Sequence, residues 1–120
     1  MIEVLEGFPT NVTAFACHGH VTRQDYDTVL VPKVKEALEQ HEKVRLYYET
    51  AADFDNIDAG AVLEDTMIGL SHALRWEKLA VVTDINWIRR SIMLFRFLMP
   101  GELRVFSSAD AAKARSWIAA

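Results

Sequence analysis

Residues 78–84, KLAVVTD, decide how this chain folds. Leu79, Ala80, Val81 and Val82 are apolar at consecutive positions, so neither face of the segment is left for water. A central strand reads this way when its sheet is covered on both sides, which points to a largely parallel sheet with helical cover. Outward from it, KVRLYYET (43–50) is a second strand of β-branched and aromatic type, and ELRVFSS (102–108) a last one. At the amino end MIEVLE (1–6) alternates, GFPTN (7–11) is a turn cluster, and VTAFACHG (12–19) is a further apolar run, so the two predict a hairpin.

Helical patterns fill the gaps. Thr22 with Asp25 three residues on is a start resembling a capping box, with Asp in place of the usual Glu. The helix it opens is predicted to reach about His41, with Tyr26, Val29, Leu30, Val34, Ala37 and Leu38 inward. Pro32 lies inside it and should kink it, because its ring clashes with the preceding turn and it has no N–H to give. A second helix is expected from a cap at Asp58, after the polar loop AADFDNIDAG (51–60), to about Trp76. Its inward side is Val62, Leu63, Thr66, Met67, Leu70, Ala73 and Leu74. A third starts at Asp84 or Asn86 and is stopped by MPG (99–101); a fourth is SADAAKARSWIAA (108–120), with Ser108 as its cap. The order ββαβαβαβα predicts an α/β fold. One mostly parallel sheet with an N-terminal hairpin is covered by about four helices, in a single domain spanning 1–120.

The bulk properties narrow the function classes. At 120 residues and 51% hydrophobic content the chain can bury one core. A net charge of −4 argues against a dedicated nucleic-acid binder. The lone Cys17 sits mid-strand among apolar neighbours, as a buried, inert thiol does. The opening residues lack the basic and apolar regions of a signal peptide. The apolar-rich stretch 85–99 is too short, and too interrupted by Arg89, Arg90 and Arg96, to span a bilayer. A cytoplasmic chain is expected, with peripheral attachment at the inner membrane face as the one membrane role left open.

Catalytic signals are missing. There is no serine elbow, phosphate-binding glycine loop or dinucleotide fingerprint. His18 and His20 of HGH lack a third ligand at a suggestive spacing, so hydrogen-bonding turn histidines are expected rather than a metal site. The carboxylates of ADFDNID lack the spacing and closing Glu of a calcium loop, and read as a solvated acidic loop. No residue set offers nucleophile, base and orienter together, so neither an enzyme nor a cofactor is expected.

What remains is INWIRRSIMLFRFLMPGE (85–102), apolar on nearly every side. On a wheel at about 100° per residue, Leu94, Trp87, Leu98, Ser91, Phe95, Ile88, Met99 and Ile92 form one broad arc, the expected core face. The opposite arc, Arg96, Arg89, Met93, Phe97 and Arg90, sets a small apolar ridge in a basic rim. Such a ridge suits shallow insertion at an anionic membrane, a protein interface, or simple packing on a neighbouring helix. A second candidate is a pocket at the carboxyl ends of the strands, where open α/β sheets bind ligands, drawing on Tyr47, Thr50, Phe54 and Thr83 with Trp87. The occupants this leaves are an anionic lipid, an apolar small molecule, a protein partner, or a second copy of the chain.

Four stretches together resemble the SpoIIAA-like family of small bacterial proteins, related in fold to STAS domains. They are MIEVLEG, VTRQDYDTVLVPKVKEALEQHEKVRLYYE, WEKLAVVTDINWIR and LMPGELRVFSSADAAKARSWI, with the VTxxDY start, Pro32 and MPGExRVF the most specific pieces. The resemblance implies a STAS or lipid-transfer (CRAL-TRIO-like) α/β fold without known catalysis, and ligand binding or membrane association as its use. One departure bears on regulation. Phospho-regulated STAS antagonists carry a serine near the start of the helix after the third strand, whereas TAADFDNIDAGAV (50–62) has none. Thr50 lies several residues too early, and Asp53, Asp55 and Asp58 would repel a phosphate there. If the chain acts as a STAS-type interaction module, it does so without that switch.

Overall fold

The computed structural model describes residues 1–58, 60–61, 75–98 and 101–120, apart from the side chains of Phe95 and Leu98. Its strands are β1 (Ile2–Val4), β2 (Val12–Cys17), β3 (His20–Val21), β4 (Val44–Thr50), β5 (Asn56–Ile57), β6 (Trp76–Val82) and β7 (Glu102–Phe106). Five of them form one sheet in the order β1-β2-β4-β6-β7. The hairpin is present, with β1 antiparallel to β2; every other neighbouring pair is parallel.

KLAVV is legible because both faces of β6 are covered. Leu79 and Val81 enter one apolar cluster, while Ala80 and Val82 enter a second on the opposite face. The period-2 alternation of a strand divides β2 and β4 in the same way: Phe15, Cys17, Val44 and Leu46 on the first face, Val12, Ala14 and Tyr47 on the second.

Helical cover follows from the same division. Thr22 caps α1 (Arg23–Asp25) with both halves of a capping box, its hydroxyl accepting from the Asp25 N–H and the Asp25 carboxylate from the Thr22 N–H. The chain continues through a π-helical turn, Tyr26–Leu30, into α2 (Val31–Gln40). Where a kink at Pro32 is expected, the structure shows a widened turn. In the turn just before the proline, the Val31 N–H reaches back five residues to the Tyr26 carbonyl. A widened turn relieves the crowding that the ring would impose on a regular helix. Tyr26, Leu30, Val34 and Leu38 fill the first cluster. α3 (Asn86–Phe95), prolonged by a 3₁₀ turn Arg96–Leu98, lies on that side too, while α4 (Ala111–Ala119) covers the other face with Ala114 and Ile118.

Several boundaries differ from expectation. The helix predicted to reach Trp76 is described only at its start, Gly60 and Ala61; Val62 to Leu74 lie outside the described residues. Trp76 itself opens β6, where its ring is buried in the first cluster and its backbone pairs with Val44. Asp84 does not cap α3, whose N-cap position is Ile85 without a side-chain cap. The Asp84 carboxylate instead accepts from the Ser108 N–H (3.0 Å) and hydroxyl, so Ser108 does not cap α4 either; a 3₁₀ turn, Ser108–Asp110, leads into that helix. The loop 51–58 is less free than its acidity suggested, since β5 within it pairs in parallel with β3 as a small second sheet.

Gly101 fixes how the chain enters β7. A Cβ there would sit 2.2 Å from the Trp76 carbonyl oxygen, so only glycine lets the strand close on β6.

Candidate functional site

α3 is anchored by a narrow stripe. Ile88, 9% exposed, and Ile92, which packs on the first cluster, are four residues apart. Among the described side chains that is one row of a helix surface, narrower than the arc drawn on the wheel. The correction is substantial: Trp87 is 46% exposed and Leu94 73%, and Ser91 is exposed as well. Among the described strands the sheet ends at β7, its edge strand, which limits how much sheet a wide apolar face here could meet. Met99, also placed on that arc, lies outside the described residues, as do the side chains of Phe95 and Leu98.

The opposite ridge is solvent-facing. Met93 is 45% exposed and Phe97 87%. With Leu94, Arg90 and Arg96 they line a shallow open hollow at the surface. Trp87 lies one helical row away, three residues before Arg90, so the outward surface of α3 carries four large apolar side chains. The three arginines part company. Arg90 and Arg96 are exposed, whereas Arg89 is half-buried and its Nη1 donates to the Thr83 carbonyl at 2.8 Å. The basic rim is two cations, not three.

The four residues expected to line a pocket do not converge. Tyr47 is fully buried on the α4 face, against Phe8 at 4.9 Å between ring centres, while Phe54 packs on the first cluster across the sheet. Thr50 and Thr83 do meet, at the carboxyl ends of β4 and β6. The Thr50 hydroxyl donates to the Thr83 hydroxyl oxygen (2.8 Å), which also accepts from the Ile85 N–H (3.2 Å). Thr83 is fully buried, so this pair ties strand ends together. Among the described residues the Tyr47 hydroxyl has no partner at hydrogen-bonding geometry, and burial pushes its pKa up, helped by the Glu49 charge and opposed by the nearby Arg115.

The histidines of HGH find carboxylates. His18 presents Nδ1 to Asp53 (2.9 Å) and Nε2 to Glu3 (2.8 Å), and His20 presents Nε2 to Asp58. Hydrogen bonds to Glu3 and Asp53 raise the His18 pKa above its ordinary 6.5. Among the described residues no three His, Cys, Asp or Glu side chains are arranged to hold a metal. The carboxylates stand on opposite sides of the His18 ring. The sequence signalled histidines that bond nearby, but not which acids they reach across the fold.

Among the described residues no helix is long and apolar enough to cross a membrane. No curated protein matches the chain. A crystal structure of a Shewanella loihica protein with a SpoIIAA-like fold superposes with a TM-score of 0.72 over 98% of this chain and 92% of that one. At 20% identity the likeness speaks to the fold alone. The SpoIIAA-like family model matches residues 12–119. From the second strand to the last helix, then, sequence and architecture agree, and the chain belongs to the SpoIIAA-like family.

Proposed function

We propose that this chain is a non-catalytic binding protein that attaches reversibly to anionic membrane surfaces through the outward face of α3. The carrying observation is the group Trp87, Met93, Leu94 and Phe97, exposed together beside Arg90 and Arg96. Phe97 and Leu94, the most exposed, enter the boundary between headgroups and acyl chains, and the two arginines meet lipid phosphates. At about 1 kcal/mol per cation near an anionic leaflet, the arginines contribute only ~2 kcal/mol, and the net charge of −4 works against them. Apolar insertion therefore has to supply most of the binding, and the attachment is weak. The SpoIIAA-like fold by itself supports a regulatory or interaction module, for which an exposed face rich in aromatic, Met and Arg side chains would be the contact surface.

Co-sedimentation with liposomes separates the two. Binding to vesicles containing anionic lipid, weakened by salt as charges are screened within about 8 Å at physiological ionic strength, supports membrane attachment. Met93→Ser with Phe97→Ser should abolish it while the fold survives, since both side chains are solvent-facing. Binding to neither neutral nor anionic vesicles at low salt rejects the membrane reading, and lipid-independent self-association would turn attention to a second copy of the chain.

A further inference from the structure

A charged fastening lies away from α3 and is independent of its reading. The loop 51–58 crosses the carboxyl ends of β2 and β4, beginning with the Ala51 N–H on the Cys17 carbonyl (2.9 Å). It tucks Phe54 against the first cluster and pairs β5 with β3 before the chain turns helical at Gly60. Its backbone bonds run through Gly19, whose N–H donates to the Asp53 carbonyl (3.1 Å) and whose carbonyl accepts from Asp55 (2.8 Å) and Asn56 (3.3 Å). Gly19 stands between the two histidines at φ +55°, a conformation that favours glycine.

His18 joins this loop to β1. Both ring nitrogens face carboxylate oxygens, Glu3 on one side and Asp53 on the other. An ionised carboxylate can only accept, so both nitrogens must donate, which only the imidazolium does. A neutral ring would leave one carboxylate facing a lone pair. We infer that His18 is a proton-controlled clip: charged, it fastens the 51–58 strap over the carboxyl end of the sheet, and neutral, it releases the strap from β1. The other charges around it are the Met1 amino group, which donates to the His18 and His20 carbonyls (2.8 and 3.0 Å) and pairs with Asp25 (3.3 Å), and the His20–Asp58 pair across β3 and β5. The amino group approaches the backbone of His18 rather than its ring, and His20 fastens only the far end of the strap. Neither replaces the donor that Asp53 loses. The raised pKa of His18 agrees in sign: the fastening is complete below pH 6.5 and is lost as pH rises through the folded-state value.

The test is amide hydrogen exchange on the intact chain between pH 6 and 9, as protection factors, beside an NMR titration of the His18 ring. The amides of Phe54, Asp55 and Asp58 should lose protection several-fold in step with that titration, while the β4 and β6 amides do not. His18→Gln should show low protection in the strap at every pH. Asp53→Asn keeps the ring but replaces an acceptor-only carboxylate with an uncharged amide that can bond either state of the ring nitrogen, so it should also flatten the profile. His20→Gln should keep the pH dependence. A wild-type profile flat across the His18 titration, or a dependence that survives both His18→Gln and Asp53→Asn, overturns the clip. Loss of the dependence in His20→Gln alone would overturn its assignment to His18.

Discussion

At Gly101 a single missing carbon decides whether β7 can close on β6. Backbone cannot yield as a flexible side chain can, so Gly101→Ala should lower stability by ~2 kcal/mol or more, read as a lower denaturant midpoint at unchanged slope. A variant as stable as the parent would show that the approach to Trp76 relaxes at little cost. Tyr47 makes the opposite case. Among the described residues its hydroxyl is buried without a partner, and such a group costs about 1–3 kcal/mol. Tyr47→Phe keeps the ring on Phe8 and should leave the protein as stable or up to ~1 kcal/mol more so; clear destabilisation would reveal a partner for the hydroxyl. The glycine of MPG reads from sequence as a helix stop, and Tyr47 as an aromatic strand residue lining a pocket. That the one leaves no room for a Cβ beside the Trp76 carbonyl on the neighbouring strand, and that the other has no partner among the described residues, depend on atoms distant in the chain.

Helix ends show the same division. The capping box at Thr22 and Asp25 is local, three residues long, and legible. The carboxyl end of α2 is closed from elsewhere: Arg75 donates to the carbonyls of Leu38, His41 (2.7 Å) and Glu42 (3.1 Å). Arg45 and Lys78 do the same for α4, through the carbonyls of Ile118 (2.8 Å) and Trp117 (3.2 Å). Cations at these ends satisfy orphan carbonyls and complement the helix dipole. Arg75→Ala should therefore destabilise by about 1–2 kcal/mol, with amides in the last turn of α2 exchanging faster; unchanged exchange there would remove Arg75 from the capping role. α3 misled the wheel because a wheel records which residues share a side, not how much sheet lies beneath them. Among the described side chains of α3, Ile88 is buried and Ile92 packs on the core, while Trp87 and Leu94, apolar by sequence, stand in solvent.

Over the whole molecule, opposing titrations set where the fold is most stable. Asp25 is partly buried, which alone would raise its pKa, but hydrogen bonds from Thr22 and the nearby Met1 amino group lower it below 3.8 on balance. The Ser108 hydroxyl and N–H lower Asp84 likewise. Depressed carboxylates contribute stability that is present above their unfolded values and lost as pH falls through the folded ones. His18 has the reverse sign, contributing below 6.5 and losing that contribution as pH rises. Thermal unfolding followed across pH should thus peak between about 4 and 6.5, falling on the acid side through the aspartates and on the alkaline side through His18. A peak that does not broaden toward alkaline pH in His18→Gln, whose stability should be flat there, would separate that residue from the alkaline limb.

By itself the sequence determined the succession of the main strands along the chain, the hairpin, the two covered faces of the sheet, the capped start of the first helix and the family. Each is written in local periodicity, in turn residues, or in motifs a few positions long. Only the tertiary structure decided which apolar residues of α3 stay in water, which acids His18 and His20 reach, and that Tyr47 and Phe54 stand on opposite faces of the sheet. Burial and ion pairing depend on what the rest of the fold brings within a few ångströms, and chain spacing does not carry that information.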